Sequence, residues 1–147
     1  MNKEWSELNK LTKQKDEIYH KWAQHAGITD TKFWILYAVC ESGGVLSQND
    51  FCDNWCYSKQ TVNAAVNSLE KEGIVYLSYA EGSKKKKDMR LTITGEEFCT
   101  RYILPVLTAE CNALMRVEER ERRAFLDTKE RMVSLLSDEL RKAAEDK

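Results

Sequence analysis

The chain has few of the residues that interrupt or crosslink a fold. Its 147 residues include one proline, six glycines and two histidines, and its five cysteines are an odd number scattered along the sequence. An odd, scattered set of cysteines does not make a disulfide framework, so we expect reduced thiols. The scarcity of proline is consistent with a protein rich in exposed helix.

Long apolar segments are also lacking. No run is long enough to span a bilayer, and the first residues, Met1 to Trp5, lack the apolar segment of a secretory signal. A hydrophobic share of 42%, a charged share of 32% and a formal net charge of −1 are typical of a globular protein in water. We therefore expect a single cytoplasmic domain with no membrane partner.

Signatures of catalysis are missing as well. The sequence contains no glycine-rich phosphate loop, no nucleophile elbow and no His-Glu-x-x-His spacing. His20 and His25 are five residues apart on one predicted helix, so they do not share a face well enough to bind a metal. The sequence predicts a non-enzyme without a metal site or a cofactor.

Two short helices are predicted in the middle of the chain. Ser47 is a good N-cap, and the apolar residues that follow it, Phe51, Cys52 and Trp55, share one helical face. Ser58 caps a second helix, whose apolar residues recur at intervals of three and four: Val62, Ala65, Val66 and Leu69. The opposite face is polar and poor in acids, with Lys59, Gln60, Asn63, Ala64 and Asn67. We expect the apolar face to pack on the core and the polar face to suit a DNA groove.

A hairpin with a basic tip is predicted next. Gly73 ends the second helix, residues 74–80 and 89–93 have strand composition, and Glu81-Gly82-Ser83 separates them. The cations of this region are Lys84, Lys85, Lys86, Lys87 and Arg90. With the acids Glu81 and Asp88 they leave a local charge of +3 in a chain of net charge −1. Such a concentration is expected where backbone phosphates are bound.

Longer helices are predicted on both sides of this region. Residues 5–26 are amphipathic, whereas residues 33–40 are apolar nearly all round and belong at the centre. After the hairpin, Thr94-Gly95-Glu96-Glu97 is a capping-box signature for a helix that continues to Leu114, with a kink expected at Pro105. A last amphipathic helix is predicted from Val117 onward. The terminal helices carry more apolar surface than one small module can cover, which indicates a partner surface.

The residues of the central region resemble those of the MarR family of bacterial winged-helix regulators. The sharpest similarity runs from Ser58 to Val75, and the Asp-x-Arg of residues 88–90 and the Leu-Thr-x-x-Gly of residues 91–95 add to it. The chain departs from the family pattern at two positions. Arg90 directly precedes Leu91, where family members have several more strand residues, so either the second wing strand is short or its register is shifted by a few residues. Cys56 lies in the turn between the two helices, where the family usually has glycine.

This resemblance implies a mainly α fold with a small β-hairpin wing, an α+β winged helix-turn-helix flanked by N- and C-terminal dimerisation helices. The winged-helix module would span residues 28–93, and the dimerisation helices residues 1–27 and 94–147. The implied function is that of a homodimeric, sequence-specific transcriptional regulator, which binds a pseudo-palindromic double-stranded operator and responds to a small-molecule effector. The expected DNA-binding residues are Ser58, Lys59, Gln60, Thr61, Asn63, Asn67, Lys84, Lys85, Lys86, Lys87 and Arg90.

Two other functions fit the same scaffold. Cys52 and Cys56, four residues apart, would nearly meet on a helix and suggest a thiol-based redox sensor, although simple packing explains both residues better. MarR-like peroxide sensors typically have a reactive cysteine in the first helix, and this chain has none there. The other alternative is a winged helix that binds a protein instead of DNA, with the polar face solvated and the lysine run a flexible loop. Aromatic residues at helical spacing are compatible with an effector pocket but are more often core: Trp5, Tyr19, Trp22, Trp34 and Tyr37.

Overall fold

A computed structural model describes residues 2–145 of the chain. Its elements in chain order are α1 (Lys3–Ala26), α2 (Asp30–Glu41), β1 (Val45–Ser47), α3 (Gln48–Trp55), α4 (Lys59–Lys71), β2 (Val75–Tyr79), β3 (Lys87–Leu91), α5 (Ile93–Tyr102), α6 (Leu104–Leu114) and α7 (Glu119–Glu145). The chain divides into two compact units, Met1–Pro105 and Val106–Lys147. The predicted fold class, mainly helical with a small β wing, is confirmed.

The helix ends of the first unit follow the local chemistry of the sequence. The Ser47 hydroxyl accepts a hydrogen bond from the backbone N–H of Asp50 at 3.1 Å, and that of Ser58 from Thr61 at 3.2 Å. Gly27 ends α1 in the left-handed conformation, with φ of 74°. These interactions satisfy backbone groups that a helix end would otherwise leave unpaired, so both predicted N-caps and the predicted stop are confirmed.

The core of the first unit is built around α2. Phe33, Ile35, Leu36 and Val39 of this helix are almost completely buried, as its all-round apolar sequence predicts. The large, fully buried side chains from the rest of the unit that complete this core are Phe51, Val62, Val66, Leu69, Val75, Met89 and Ile103. The apolar face of α4 is thus buried, which leaves its polar face outward.

Three antiparallel strands form the sheet, with β3 in the middle. The hairpin pairs Val75 with Leu91 and Tyr79 with Lys87, while β1 pairs Val45 with Arg90. The sequence analysis missed β1, because three residues carry too little pattern to indicate a strand. The second wing strand is five residues long and begins two residues before the predicted position, within the lysine run. Pairing with strands on both sides stabilises a strand whose own composition is poor in β-formers.

The helix after the hairpin begins earlier than the capping-box signature predicted. The N-cap is Thr92, not Thr94, and its hydroxyl accepts from the backbone N–H of Gly95 at 3.0 Å while also donating to the carbonyl of Gly73. The hydrogen bond to Gly73, which is distant in the sequence, thus stabilises Thr92 as the N-cap. A local sequence motif cannot reveal such a contact. The predicted single kinked helix is also wrong. α5 ends at Tyr102, and a separate α6 begins at Leu104, because Pro105 has no N–H to continue the α5 hydrogen bonding.

In the second unit, α6 is followed by the 27-residue helix α7. Near the turn between them, Arg122 donates from Nη1 to the backbone carbonyl of Leu114 at 3.1 Å and contacts the Met115 sulfur at 3.4 Å. No side chain of α7 that the structure describes is buried. Within residues 2–145, none of the helices is both long enough and apolar enough to cross a bilayer.

Candidate nucleic-acid interface

The polar face of α4 is presented outward by the burial of its opposite face. Val62, Val66 and Leu69 have no measurable exposure. The predicted contact residues on the other side of the helix are all exposed: Lys59, Gln60, Thr61, Asn63 and Asn67. A helix locked to the core in this way cannot rotate to hide its polar side chains, so α4 presents a fixed set of donors and acceptors.

Two of the predicted contact residues also organise the start of α4. The hydroxyl of Ser58 caps the helix and donates to the hydroxyl of Thr61 at 2.8 Å. Both side chains remain exposed, and the helix N-terminus between them carries a partial positive charge. These two residues are therefore suited to a phosphate contact as well as to capping.

A side chain that the sequence analysis did not single out lies against α4. Nε2 of Gln48, the first residue of α3, donates to Oδ1 of Asn63 at 3.1 Å. The two residues line a small polar cleft of about 90 Å³ between α3 and α4, together with Asn49, Cys52 and Lys59. This bond orients the Asn63 amide. The only sequence signal for Gln48 was its place directly after the Ser47 cap.

The tip of the wing is a hydrogen-bonded turn. The backbone N–H of Ala80 donates to the carbonyl of Lys86 at 2.7 Å, and that of Ser83 to Ala80 at 3.0 Å. The Ser83 hydroxyl accepts from the backbone N–H groups of Lys85 and Lys86 at 3.2 and 2.9 Å. Lys84 and Lys85 at this turn are exposed, and neither has an ion-pair partner among residues 2–145.

The other two lysines of the run are already engaged. Nζ of Lys86 lies 3.4 Å from the carboxylate of Asp50 in α3, and Nζ of Lys87 lies 5.6 Å from the ring centroid of Tyr79 across the hairpin. A hydrogen bond to the Ser47 side chain, with a smaller contribution from Lys86, lowers the pKa of Asp50 from its ordinary value. Lys86 thus ties one side of the wing turn to α3 by charge, while Lys84 and Lys85 have no ion-pair partner among residues 2–145.

Arg90 does not lie with the lysines at the tip. It occupies β3, half-buried, and its Nε donates to the hydroxyl of Ser78 in β2 at 2.9 Å. In the sheet it faces Tyr76 on one side and Val45 on the other. Arg90 therefore lies near the root of the wing, away from Lys84 and Lys85 at the tip, and would contact a different part of a ligand.

The cysteine pair considered in the sequence lacks the features of a reactive site. Cys52 is buried in α3, and burial together with the nearby charge of Asp53 raises the pKa of its thiol. Cys56 is exposed and ends α3 with a positive φ of 56°, in the position where the resemblance predicted glycine. Both thiols are free. Cys52 is therefore a packing residue, as the simpler interpretation of the sequence held.

Part of the chain matches the sequence model of a known family. Residues 26–85 match the sequence model of the MarR family. The matched segment begins at the end of α1, contains the candidate contact face of α4 and ends at residue 85 in the wing turn, so Lys86, Lys87 and Arg90 lie outside it. No curated protein sequence matches the chain significantly.

Solved structures extend the likeness to nearly the whole chain. NMB1585, a MarR family regulator from Neisseria meningitidis, is 20% identical with a TM-score of 0.74, and the match covers 100% of each chain. A putative MarR family transcriptional regulator from Listeria monocytogenes, solved with 26mer DNA, is 20% identical with a TM-score of 0.72, covering 95% of this chain and 92% of that one. NadR, solved with 4-hydroxyphenylacetate, is 21% identical with a TM-score of 0.70, covering 92% and 93%.

The resemblance to the MarR family is therefore confirmed by the sequence model for residues 26–85, and the solved structures show that nearly the whole chain shares their fold.

Proposed function

We propose that this MarR-type chain is a homodimeric regulator that reads DNA sequence with α4, binds phosphates with its wing and responds to a small molecule. The observation that carries the proposal is the geometry of α4. Val62, Val66 and Leu69 on its apolar face are fully buried. Asn63 and Asn67, one helical turn apart, are exposed beside Lys59 and Gln60.

The dimensions and chemistry of α4 suit the major groove. Its 13 residues give a length of about 20 Å at 1.5 Å per residue, and the groove of B-DNA is about 12 Å wide and admits one helix. An asparagine or glutamine amide has both a donor and an acceptor, which matches the N6 and N7 edge of adenine. We assign this reading to Gln60, Asn63 and Asn67. The bond from Gln48 supports the assignment, because it holds the Asn63 amide in one orientation.

The wing is suited to contacts that do not depend on sequence. Lys84 and Lys85 extend from a turn held by Ser83, and point charges on flexible stems suit phosphate oxygens. Lys86 and Lys87 are engaged within the protein and would contribute more weakly. We assign Arg90 a contact near the root of the wing, because a guanidinium keeps further donors after its Nε has bonded to Ser78.

Exposed apolar side chains support the dimer. Along α7, Leu126, Val133 and Leu140 repeat every seven residues, and their exposed fractions are 63%, 59% and 62%. On α1, Leu11 and Ile18 have the same spacing and are 53% and 68% exposed. Apolar stripes on both terminal helices would be unfavourable in water, and a second copy of the chain would cover them. The mass in solution should then be twice 17.1 kDa, and the two half-sites should lie about 34–36 Å apart.

The effector part of the proposal rests on an aromatic cluster in the first unit. Ring centroids of Tyr19 and Trp34 lie 4.7 Å apart, and Trp34 lies 5.3 Å from Trp55. These side chains are half-buried, so they offer flat apolar surface that is not fully used in packing. NadR was solved with 4-hydroxyphenylacetate, an aromatic acid, and a ligand of that class would suit such a cluster.

The test compares variants on a preferred duplex, recovered from random DNA by selection, and on a scrambled duplex. Asn63→Ala and Asn67→Ala should each weaken binding to the preferred duplex by about 1–3 kcal/mol and change binding to the scrambled one little. The double variant Lys84→Gln, Lys85→Gln should weaken binding to both. It should also flatten the dependence of log K on log salt by about one unit per lost phosphate contact.

A matched control makes the same change of charge on α1, where the exposed Lys13 and Lys15 are both replaced by glutamine. This variant should keep the wild-type salt slope. If it flattens the slope as much as the wing variant, or if the asparagine variants lose affinity equally on both duplexes, the assigned roles are wrong. Absence of any salt-dependent DNA binding by the folded dimer would instead favour a protein partner.

A further inference from the structure

The first residue of α3 is hydrogen-bonded to the candidate reading face of α4. Gln48 is half-buried, and its Nε2 donates to Oδ1 of Asn63 at 3.1 Å beside the polar cleft between the two helices. This distance is that of an ordinary hydrogen bond. The two residues are 15 apart in the chain, so the contact depends on how α3 packs against α4.

The backbone on both sides of this bond is held by the core. Ser47, directly before Gln48, is only 3% exposed and pairs with Asp88 in the sheet. Val62, directly before Asn63, is fully buried. Neither backbone position can move without disturbing buried contacts. The hydrogen bond therefore constrains the orientation of the Asn63 amide at a fixed place on α4.

Orientation matters because the two ends of an amide differ. The oxygen can accept two hydrogen bonds, and the nitrogen can donate two. Gln48 uses one lone pair of Asn63 Oδ1, which leaves the other lone pair and both N–H groups for a ligand. Adenine presents a donor at N6 and an acceptor at N7, whereas guanine presents acceptors at O6 and N7. An amide held in one orientation matches adenine, while an amide that can turn round can also donate to guanine O6.

We propose that Gln48 is a positioning residue that sets the base preference of Asn63, by holding the Asn63 oxygen toward adenine N6 and the nitrogen toward N7. This inference rests on the proposed function, in which α4 reads DNA. Gln48 needs no contact with DNA for this role, because it acts through the Asn63 amide. The base preference of α4 is then determined in part by a side chain of α3.

The experiment measures the affinity of the full-length protein for duplexes that carry each of the four base pairs at each position of the half-site selected from random DNA. Asn63→Ala identifies the position that Asn63 reads, because the preference for adenine disappears there. The wild-type preference at this position should be about 5- to 150-fold, as for one bidentate contact. Gln48→Ala should reduce the preference for adenine over guanine by about 2- to 10-fold, the equivalent of one neutral hydrogen bond.

Gln48→Glu is the sharper variant, because a carboxylate accepts hydrogen bonds and cannot donate them. Asn63 must then donate from Nδ2, which turns its amide round and places an N–H group where the oxygen was. Guanine or thymine, which present O6 or O4 as acceptors, should now bind better than adenine. The added negative charge weakens binding to every duplex, so it cancels in the ratio of affinities. A simple loss of structure would not reverse a base preference.

The matched control is Asn49→Ala, which removes an exposed amide from the same cleft and should keep the wild-type base preference. Circular dichroism checks that each variant is folded. In the Asn63→Ala background, Gln48→Ala should change no base preference further.

The inference is overturned if Asn63→Ala loses a base preference that both Gln48 variants keep, and the proposed reading by α4 then stands. It is also overturned if Gln48→Ala changes the preference only at another position of the half-site. If Asn63→Ala itself keeps every base preference, the reading assigned to Asn63 is wrong, and the role of Gln48 is wrong with it.

Discussion

Replacing Gly95 by alanine should destabilise the first unit, although alanine is normally the better helix residue. Gly95 lies in the first turn of α5 and is buried. A Cβ at this position would lie 1.9 Å from the backbone oxygen of Ile74 and 3.0 Å from its carbonyl carbon. The start of α5 therefore rests directly on the chain that leads into β2, and only glycine permits this approach.

The expected magnitude follows from two opposing effects. In an open helix, glycine to alanine stabilises by about 1 kcal/mol. Here the obstructing atoms are backbone, so no side chain can rotate away, and the Ile74 oxygen is held in place by the backbone N–H of Thr92 at 3.1 Å. Overpacking of a rigid site costs about 1–3 kcal/mol and occasionally more. We expect the upper end of this range and a net loss of at least about 2 kcal/mol.

Urea denaturation, followed by circular dichroism, measures the free energy of unfolding of the variant and the wild-type protein. Gly82→Ala is the control, because its added Cβ meets nothing within 4 Å, and only its φ of 73° opposes alanine. The free energy of unfolding of this control should be lower than that of the wild-type protein by about 1 kcal/mol. If Gly95→Ala is as stable as the wild-type protein or more stable, the close approach of α5 to Ile74 is wrong.

Changes at three other positions test interactions elsewhere in the first unit. Trp22→Phe removes the indole N–H that donates to the Tyr102 carbonyl at 2.7 Å, and should cost about 1–2 kcal/mol in urea denaturation. Cys56→Asn should raise the free energy of unfolding by a few tenths of a kcal/mol, and Cys56→Val should lower it by about 1–2 kcal/mol. The reason is that the left-handed φ of 56° suits asparagine and not a β-branched residue. Melting temperatures would show the order of the variants. The folded-state pKa of Asp50 is lowered, chiefly by Ser47, so its stabilising effect is present above its ordinary pKa and is lost as the pH falls through the folded value. The melting temperature of Asp50→Asn should therefore fall less than that of the wild-type protein on acidification below about pH 4.

Local chemistry alone determined most of the helices and the candidate reading face. Each helix end depends on residues close to it in the sequence. The caps Ser47 and Ser58 accept hydrogen bonds from backbone groups three residues away, and Gly27 ends α1 through its own left-handed conformation, so the sequence predicts all three directly. The two faces of α4 follow from side-chain periodicity, and burial of Val62 and Val66 confirms them. The basic tip of the wing is also predicted from the sequence, because the number of charged residues in a segment does not depend on tertiary contacts.

Contacts between residues far apart in the chain were decided by the tertiary structure. The three-residue strand β1 exists because β3 lies beside it, and the start of α5 at Thr92 depends on the carbonyl of Gly73. The cations of residues 84–90 are neighbours in the sequence, yet in the fold Asp50 binds Lys86 and the sheet holds Arg90.

The thiols show the same division between local pattern and tertiary contact. The sequence drew attention to Cys52 and Cys56 because they are four residues apart, whereas packing of α2 against α5 places Cys40 and Cys99 at one cleft. Periodicity reports which residues share a face of one helix. It carries no information about which faces of different helices meet, because that depends on how the whole core packs.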